Sequence, residues 1–99
     1  MNKQEIEKLI NKYETAKKQL NDLIQVQEAY KLDLNLQKIE LKYSAQYDQI
    51  KTIKEKEEKA TLDTQETHIN LINTNRQVND KKLECEILKL KIDLLMNAD

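Results

Sequence analysis

The sequence predicts an all-α protein: an antiparallel helical hairpin with coiled-coil-type packing, assembled into an oligomeric helical bundle. Three observations predict this class. The 99 residues include no glycine and no proline, 35% of them are charged, and apolar side chains recur at helical spacings. Tight turns between strands draw on Gly and Pro, whereas a helix interior disfavours them by about 1 and 3 kcal/mol. A monomeric three-helix bundle is the alternative architecture.

The first helical segment carries one apolar stripe. Its members are three or four residues apart, so they lie on a single helix face: Ile6, Leu9, Ile10, Tyr13, Ala16, Leu20, Leu23 and Ile24. Lys, Glu, Gln and Asn fill the other positions. This helix therefore has one apolar face and one solvated face.

Residues 30–47 are ambiguous between two short strands and a helix, because apolar and polar residues alternate there. We favour the helix, since no residue near Gln37 suits a tight hairpin turn. As a helix the segment is apolar on two sides and needs two neighbours. One stripe contains Leu36, Ile39, Tyr43, Ile50 and Ile53, and the other contains Tyr30, Leu34, Leu41 and Ala45.

A helix break is predicted after the charged run 54–60. Asp63 and Glu66 have the spacing of a capping box, which marks the start of a new helix. Three threonines within residues 61–67 also weaken helix continuity. The sequence thus predicts one domain over 1–99, with a helix over about 3–60, a turn at about 61–64 and a helix over about 65–97.

The C-terminal segment is apolar on two sides as well. Leu83, Ile87, Leu90 and Leu94 form one stripe, and Cys85, Leu88, Ile92 and Leu95 form the other. A turn near residue 63 would lay 30–47 alongside 80–97 and leave residues 1–28 without a partner. Either those residues fold back as a third helix, or the uncovered faces pair with another chain. Association requires fewer additional breaks.

Residue types that carry chemistry are sparse. His68 and Cys85 are single, and 17 residues of one helix would hold them about 25 Å apart. Zinc sites need more soft ligands than these two, and a phosphate-binding loop needs glycine. We expect no enzymatic activity, no cofactor and no metal. The longest apolar run, Leu94–Met96, is too short to span a membrane, and the lone cysteine favours a reducing, cytoplasmic location.

The expected function is therefore protein–protein interaction or assembly through apolar seams, with another copy or another helical protein. The candidate partner-binding residues are Tyr30, Leu34, Leu41, Tyr47, Cys85, Leu88, Ile92 and Leu95. Tyr47 lies beside the main stripes and is the tyrosine most suited to contact a partner. Polar residues in a seam can set its register, and three glutamines occupy such positions: Gln27, Gln37 and Gln46.

The alternative function is association with nucleic acid through lysine-rich helix faces. Two clusters offer them: Lys8, Lys12, Lys17 and Lys18, and Lys51, Lys54, Lys56 and Lys59. Glutamates interleave both clusters and the net charge is −1, so there is little positive field to attract phosphates. Nucleic acid is the less favoured partner.

Overall fold

The computed structural model describes residues 3–98, with the side chain of Gln46 left out, so the seam prediction for Gln46 lies outside the described part. Three α-helices pack against one another: α1 (Lys3–Lys42), α2 (Ile53–Asp63) and α3 (Gln65–Met96). A short 3-10 helix, Ala45–Tyr47, follows α1. Residues 3–98 contain no strand. The all-α class is confirmed, and the two-strand interpretation of 30–47 is wrong.

The first helix ends at Lys42 and does not continue to about residue 60 as predicted. The Ser44 hydroxyl donates to the Leu41 carbonyl at 2.7 Å, and the Ser44 backbone N–H donates to the same oxygen at 3.1 Å. Such short-range bonds tighten a last helical turn. Ser44 and Thr52 are both extended. No described residue has a positive φ, so the chain leaves the helix without needing glycine.

Thr52 is the cap that starts α2. Its side-chain oxygen accepts a hydrogen bond from the Glu55 backbone N–H at 3.1 Å. Thr followed by Glu three residues later is the capping-box spacing. The sequence therefore contained the correct start signal at Thr52, while the prediction relied on a similar spacing at Asp63.

The predicted turn at 61–64 is a one-residue interruption at Thr64. Backbone hydrogen bonding continues across it, from Thr64 N–H to the Ala60 carbonyl and from His68 N–H to the Thr64 carbonyl, both 3.1 Å. The Thr64 hydroxyl also donates to the Ala60 carbonyl, at 2.7 Å. Threonine hydroxyls that bond four residues back tend to bend helices. Thr64 thus perturbs the helix without reversing the chain.

The chain divides into two compact units, and the first comprises residues up to 25 and from 75 onward. Its core joins α1 to α3 through buried side chains that interdigitate: Ala16, Leu20, Val78, Cys85 and Leu88. Four half-buried side chains pack against this core: Leu9, Tyr13, Leu23 and Ile24. The prediction that residues 1–28 lack a partner in the chain is wrong, because in this unit the start of α1, and not 30–47, covers α3.

The second unit comprises residues 26–74. Lys42 pairs with Glu57 across 3.8 Å, and the Gln37 amide oxygen accepts from the Thr67 hydroxyl at 3.0 Å. Lys42, the last residue of α1, therefore meets Glu57, whereas Gln37, five residues before it, meets Thr67, ten residues after Glu57. Pairing in this opposite order means that the helices in this unit run antiparallel. The reversal lies in residues 43–52, about fifteen residues before the predicted turn. Gln37 makes the polar cross-helix contact that its seam position predicts.

Candidate association surfaces

The predicted partner-binding residues are the inward-facing ones. Tyr47 is 0% exposed, and Leu34, Cys85 and Leu88 are also buried. The other four, Tyr30, Leu41, Ile92 and Leu95, are half-buried. Side chains that already fill the chain's own interior, Tyr47 most clearly, offer little surface to a partner. Partner binding by these eight residues stays a prediction.

A row of exposed apolar side chains lies on the C-terminal part of α1 and on Tyr43, the residue directly after it, whose backbone N–H still donates to the Ile39 carbonyl at 3.3 Å. It consists of Leu32, Leu36, Ile39 and Tyr43, which are 61%, 49%, 53% and 86% exposed. The spacings of four, three and four residues are those of alternating a and d positions in a heptad. We call this set the α1 stripe.

A matching row lies on α3 within the first unit. It consists of Leu83, Ile87, Leu90 and Leu94, which are 56%, 43%, 62% and 71% exposed. The spacing again alternates four, three and four. We call this set the α3 stripe.

The α3 stripe is one of the two stripes that the sequence assigned to its segment. The α1 stripe shares Leu36, Ile39 and Tyr43 with one predicted stripe, and Leu32 was assigned to neither. On α3, Cys85 and Leu88 point into the core, and the residues beside them remain outside. On α1, Leu34 is buried while Leu36 is half exposed. The periodicity identified two apolar faces on each segment, but the position of the chain reversal decides which one faces inward. Misplacing the reversal therefore changed which face was expected to remain uncovered.

Charged residues flank the α3 stripe on both sides. Leu83 and Ile87 line an open groove whose rim includes Glu84 and Lys91. Glu86 lies on the opposite flank, beside a separate groove. These flanks are the positions from which charged residues select a partner helix in coiled coils.

The α1 stripe has charged flanks too. Glu40 lines a groove on one side, together with the start of the 43–52 connection. Lys42 lines a groove on the other side, next to α2. Asp33 is exposed and accepts a hydrogen bond from the Gln37 amide at 3.0 Å. Each stripe thus carries both signs of charge along its edges.

No protein-family model, curated protein or solved structure matches this chain. Within residues 3–98 no helix is long and apolar enough to cross a membrane. Among the same residues, no three His, Cys, Asp or Glu side chains are grouped closely enough to hold a metal ion.

The most perturbed ionisable groups form one contact in the second unit. The Tyr47 hydroxyl donates to the Asp63 carboxylate at 2.6 Å, and Lys59 lies 3.4 Å from that carboxylate. Burial, followed by this hydrogen bond, raises the pKa of Tyr47 to about 12. The same bond, assisted by Lys59, lowers the pKa of Asp63 against the opposing effect of desolvation. The hydrogen bond between Tyr47 and Asp63 ties the 43–52 connection to the end of α2.

Proposed function

We propose that this protein is a non-enzymatic assembly protein that binds helices of other chains through the α1 stripe and the α3 stripe. The observation that carries the proposal is the exposure of eight large apolar side chains at heptad spacing. Contiguous apolar patches of more than a few hundred Å² are uncommon on monomers and mark interaction sites. Covering them is favourable by about 25 cal/mol per Å².

The spacing of the stripes favours a helix as the partner. Side chains at alternating intervals of three and four residues fit the holes of a facing helix, as in coiled coils and helical bundles. A strand or an irregular segment would not match four such positions in a row. The charged flanks further support this, because they occupy the places where bundle helices exchange ion pairs.

The nucleic-acid alternative gains no comparable support. Lys59, in the second lysine cluster, lies 3.4 Å from the Asp63 carboxylate and 5.8 Å from the centroid of the Tyr47 ring. Lys42, near that cluster, pairs with Glu57. Lysines engaged with neighbouring groups present a weaker positive field to phosphates.

Binding to a labelled heptad-repeat peptide with Leu and Ile at its a and d positions tests the proposed function. Two double variants each remove one stripe: Leu36→Gln with Ile39→Gln, and Ile87→Gln with Leu90→Gln. Replacing exposed apolar residues with a good helix former leaves the fold intact. We expect fluorescence anisotropy to show at least a ~10-fold loss of affinity for one variant, about 1.4 kcal/mol.

The matched control is Glu7→Gln with Lys8→Gln, two exposed positions on α1 outside both stripes. Its affinity should equal that of the unmodified chain, and circular dichroism should show the same helix content for all variants. A chain that binds no such peptide and stays monomeric at every concentration would contradict the proposed function.

A further inference from the structure

Resting on the proposed function, we propose that the partner is a second copy of this chain, in which the α3 stripe packs antiparallel on the α1 stripe of the first. This names one occupant for both exposed surfaces. The contact joins two different surfaces, so it is heterologous in the sense used for protein assemblies.

The spacing of the two stripes matches in the antiparallel direction. The α1 stripe advances by four, three and four residues, and the α3 stripe retreats by the same steps. Each of the four residues in one stripe therefore faces one residue of the other stripe. The four layers pair Tyr43 with Leu83, Ile39 with Ile87, Leu36 with Leu90, and Leu32 with Leu94.

Charge complementarity supports this register. In an antiparallel pair of heptad helices, residues just after the d positions face each other, as do residues just before the a positions. Asp33 then faces Lys91 of the second copy, and Lys42 faces its Glu86. Asp33, Lys91 and Glu86 are exposed, and Lys42 is partly exposed. Two opposite-charge pairs result, one on each flank. Because Lys42 also pairs with Glu57 of its own chain at 3.8 Å, the pair of Asp33 with Lys91 contributes more of the attraction.

One like-charge pair remains, between Glu40 and Glu84 of the second copy. Its repulsion is reduced because Glu84 already binds Lys81 within its own chain, with 2.7 Å between Nζ and Oε2. Lys81 also donates to the Gln19 amide at 2.9 Å, which holds the ammonium beside Glu84. The flanks as a whole are attractive.

Pairing two α3 stripes antiparallel is less favourable. Glu84 would face Lys91 twice, but Glu86 would face Asp93 twice, so attraction and repulsion cancel. Pairing two α1 stripes is worse, because Asp33 would face Glu40 on the same flank twice. Of the three antiparallel pairings, the contact between the α1 stripe and the α3 stripe is the one with more attractive than repulsive charge pairs.

The size of the stripes predicts that a single contact is weak. Four partly exposed large side chains present on the order of a few hundred Å², whereas a stable interface buries about 800 Å² per partner. Pairing through one stripe therefore requires a high protein concentration. A heterologous contact leaves a free stripe of each kind on the resulting pair, so further copies can add.

Mixing the two double variants tests the inference on the full chain. Analytical ultracentrifugation should show masses above a dimer for the unmodified protein as concentration rises. Each variant alone should stay monomeric, since the stripe that it retains lacks its complement. An equimolar mixture should form a 1:1 dimer, because one variant supplies the α1 stripe and the other the α3 stripe.

The alternatives give different results. Self-association of the Ile87→Gln, Leu90→Gln variant alone would show α1–α1 pairing, and self-association of the Leu36→Gln, Ile39→Gln variant alone would show α3–α3 pairing. Either result overturns the inference and leaves the proposed function standing. A monomeric unmodified chain that still binds the heptad peptide would do the same and identify a different helical protein as the partner.

A charge exchange across the mixed dimer tests the register. Lys91→Asp in the chain that supplies the α3 stripe should weaken the dimer by roughly 2–5-fold at low salt. Adding Asp33→Lys to the chain that supplies the α1 stripe should restore the original affinity. A loss that the second substitution does not reverse would overturn the proposed register.

Discussion

Tyr47 is a fully buried side chain of the second unit. Among the side chains described within residues 3–98, Tyr47 and Val78 are the two large ones that are almost completely buried. Tyr47 belongs to a 3-10 turn outside the α-helices. A buried tyrosine hydroxyl needs a partner, and Asp63 provides it at 2.6 Å. One side chain thus fills the interior and fixes the connection between α1 and α2.

We expect Tyr47→Phe to lower the free energy of unfolding by about 1–2 kcal/mol, because a hydrogen bond to a charged acceptor is lost while the ring stays in place. Tyr47→Ala should cost about 3–5 kcal/mol, since it also leaves a cavity. Urea denaturation of dilute protein measures both. Equal costs for the two variants would show that the ring contributes nothing beyond its hydroxyl.

The Tyr47–Asp63 contact should also give stability a defined pH dependence. The folded pKa of Asp63 lies below its ordinary value of 3.8, so the contribution is present at neutral pH and is lost as the pH falls below about 4. The folded pKa of Tyr47, about 12, lies above its ordinary 10.0, so the contribution is also lost as the pH rises from about 10 to 12.

This dependence is measured as the stability difference between the unmodified chain and Tyr47→Phe at a series of pH values. The subtraction removes the titration of the other carboxylates and lysines. The difference should be largest near neutrality and shrink at both extremes. A constant difference from pH 3 to 11 would contradict the assignment.

Thr52 is the second residue with an identifiable energetic role. Thr52→Ala should destabilise the protein by about 1 kcal/mol, because the Glu55 backbone N–H loses its acceptor at the start of α2. Thr52→Ser keeps the hydroxyl and should be close to neutral. A loss of stability as large for serine as for alanine would mean that the side-chain oxygen is not the source.

At the scale of the elements, the sequence predicted the helix type, the start of α1 and the bounds of α3, but not the end of α1 or the start of α2. The apolar stripes and the absence of Gly and Pro were sufficient for an all-α prediction. The ends were decided by local hydrogen bonds that resemble one another in sequence, since Thr52–Glu55 and Asp63–Glu66 share one spacing. Asp63 is instead bound by the Tyr47 hydroxyl, a contact between residues 16 positions apart that local patterns do not reveal.

The two faces of α3 should respond oppositely to the same substitution. Leu88→Ala should cost about 2–5 kcal/mol in unfolding free energy, because Leu88 lies in the core at 9% exposed. Leu90→Ala, at a site 62% exposed, should change stability by less than about 0.5 kcal/mol and instead reduce association. Chemical denaturation of dilute samples and sedimentation of concentrated samples separate the two effects.

At the scale of the whole molecule, the sequence predicts that some apolar helix surface is left over after the helices pair, but it does not predict which helix face carries that surface. Two segments carry more apolar surface than one helical neighbour can cover, and that follows from the sequence alone. Which half of the surplus is exposed depends on where the chain reverses, and the register follows from contacts such as Gln37 with Thr67. Partner binding itself stays a prediction, and the burial of the chain moves the surface proposed for it to the other face of each helix.

The early position of the chain reversal, in residues 43–52, has a consequence for folding kinetics. It brings Tyr47 and Asp63 together across 16 residues, whereas Gln19 and Lys81 are separated by 62. Closing the longer loop costs about 1 kcal/mol more in chain entropy, so the second unit should form first. Substitutions at Tyr47 should then slow folding, while Val78→Ala, in the first unit, should mainly accelerate unfolding.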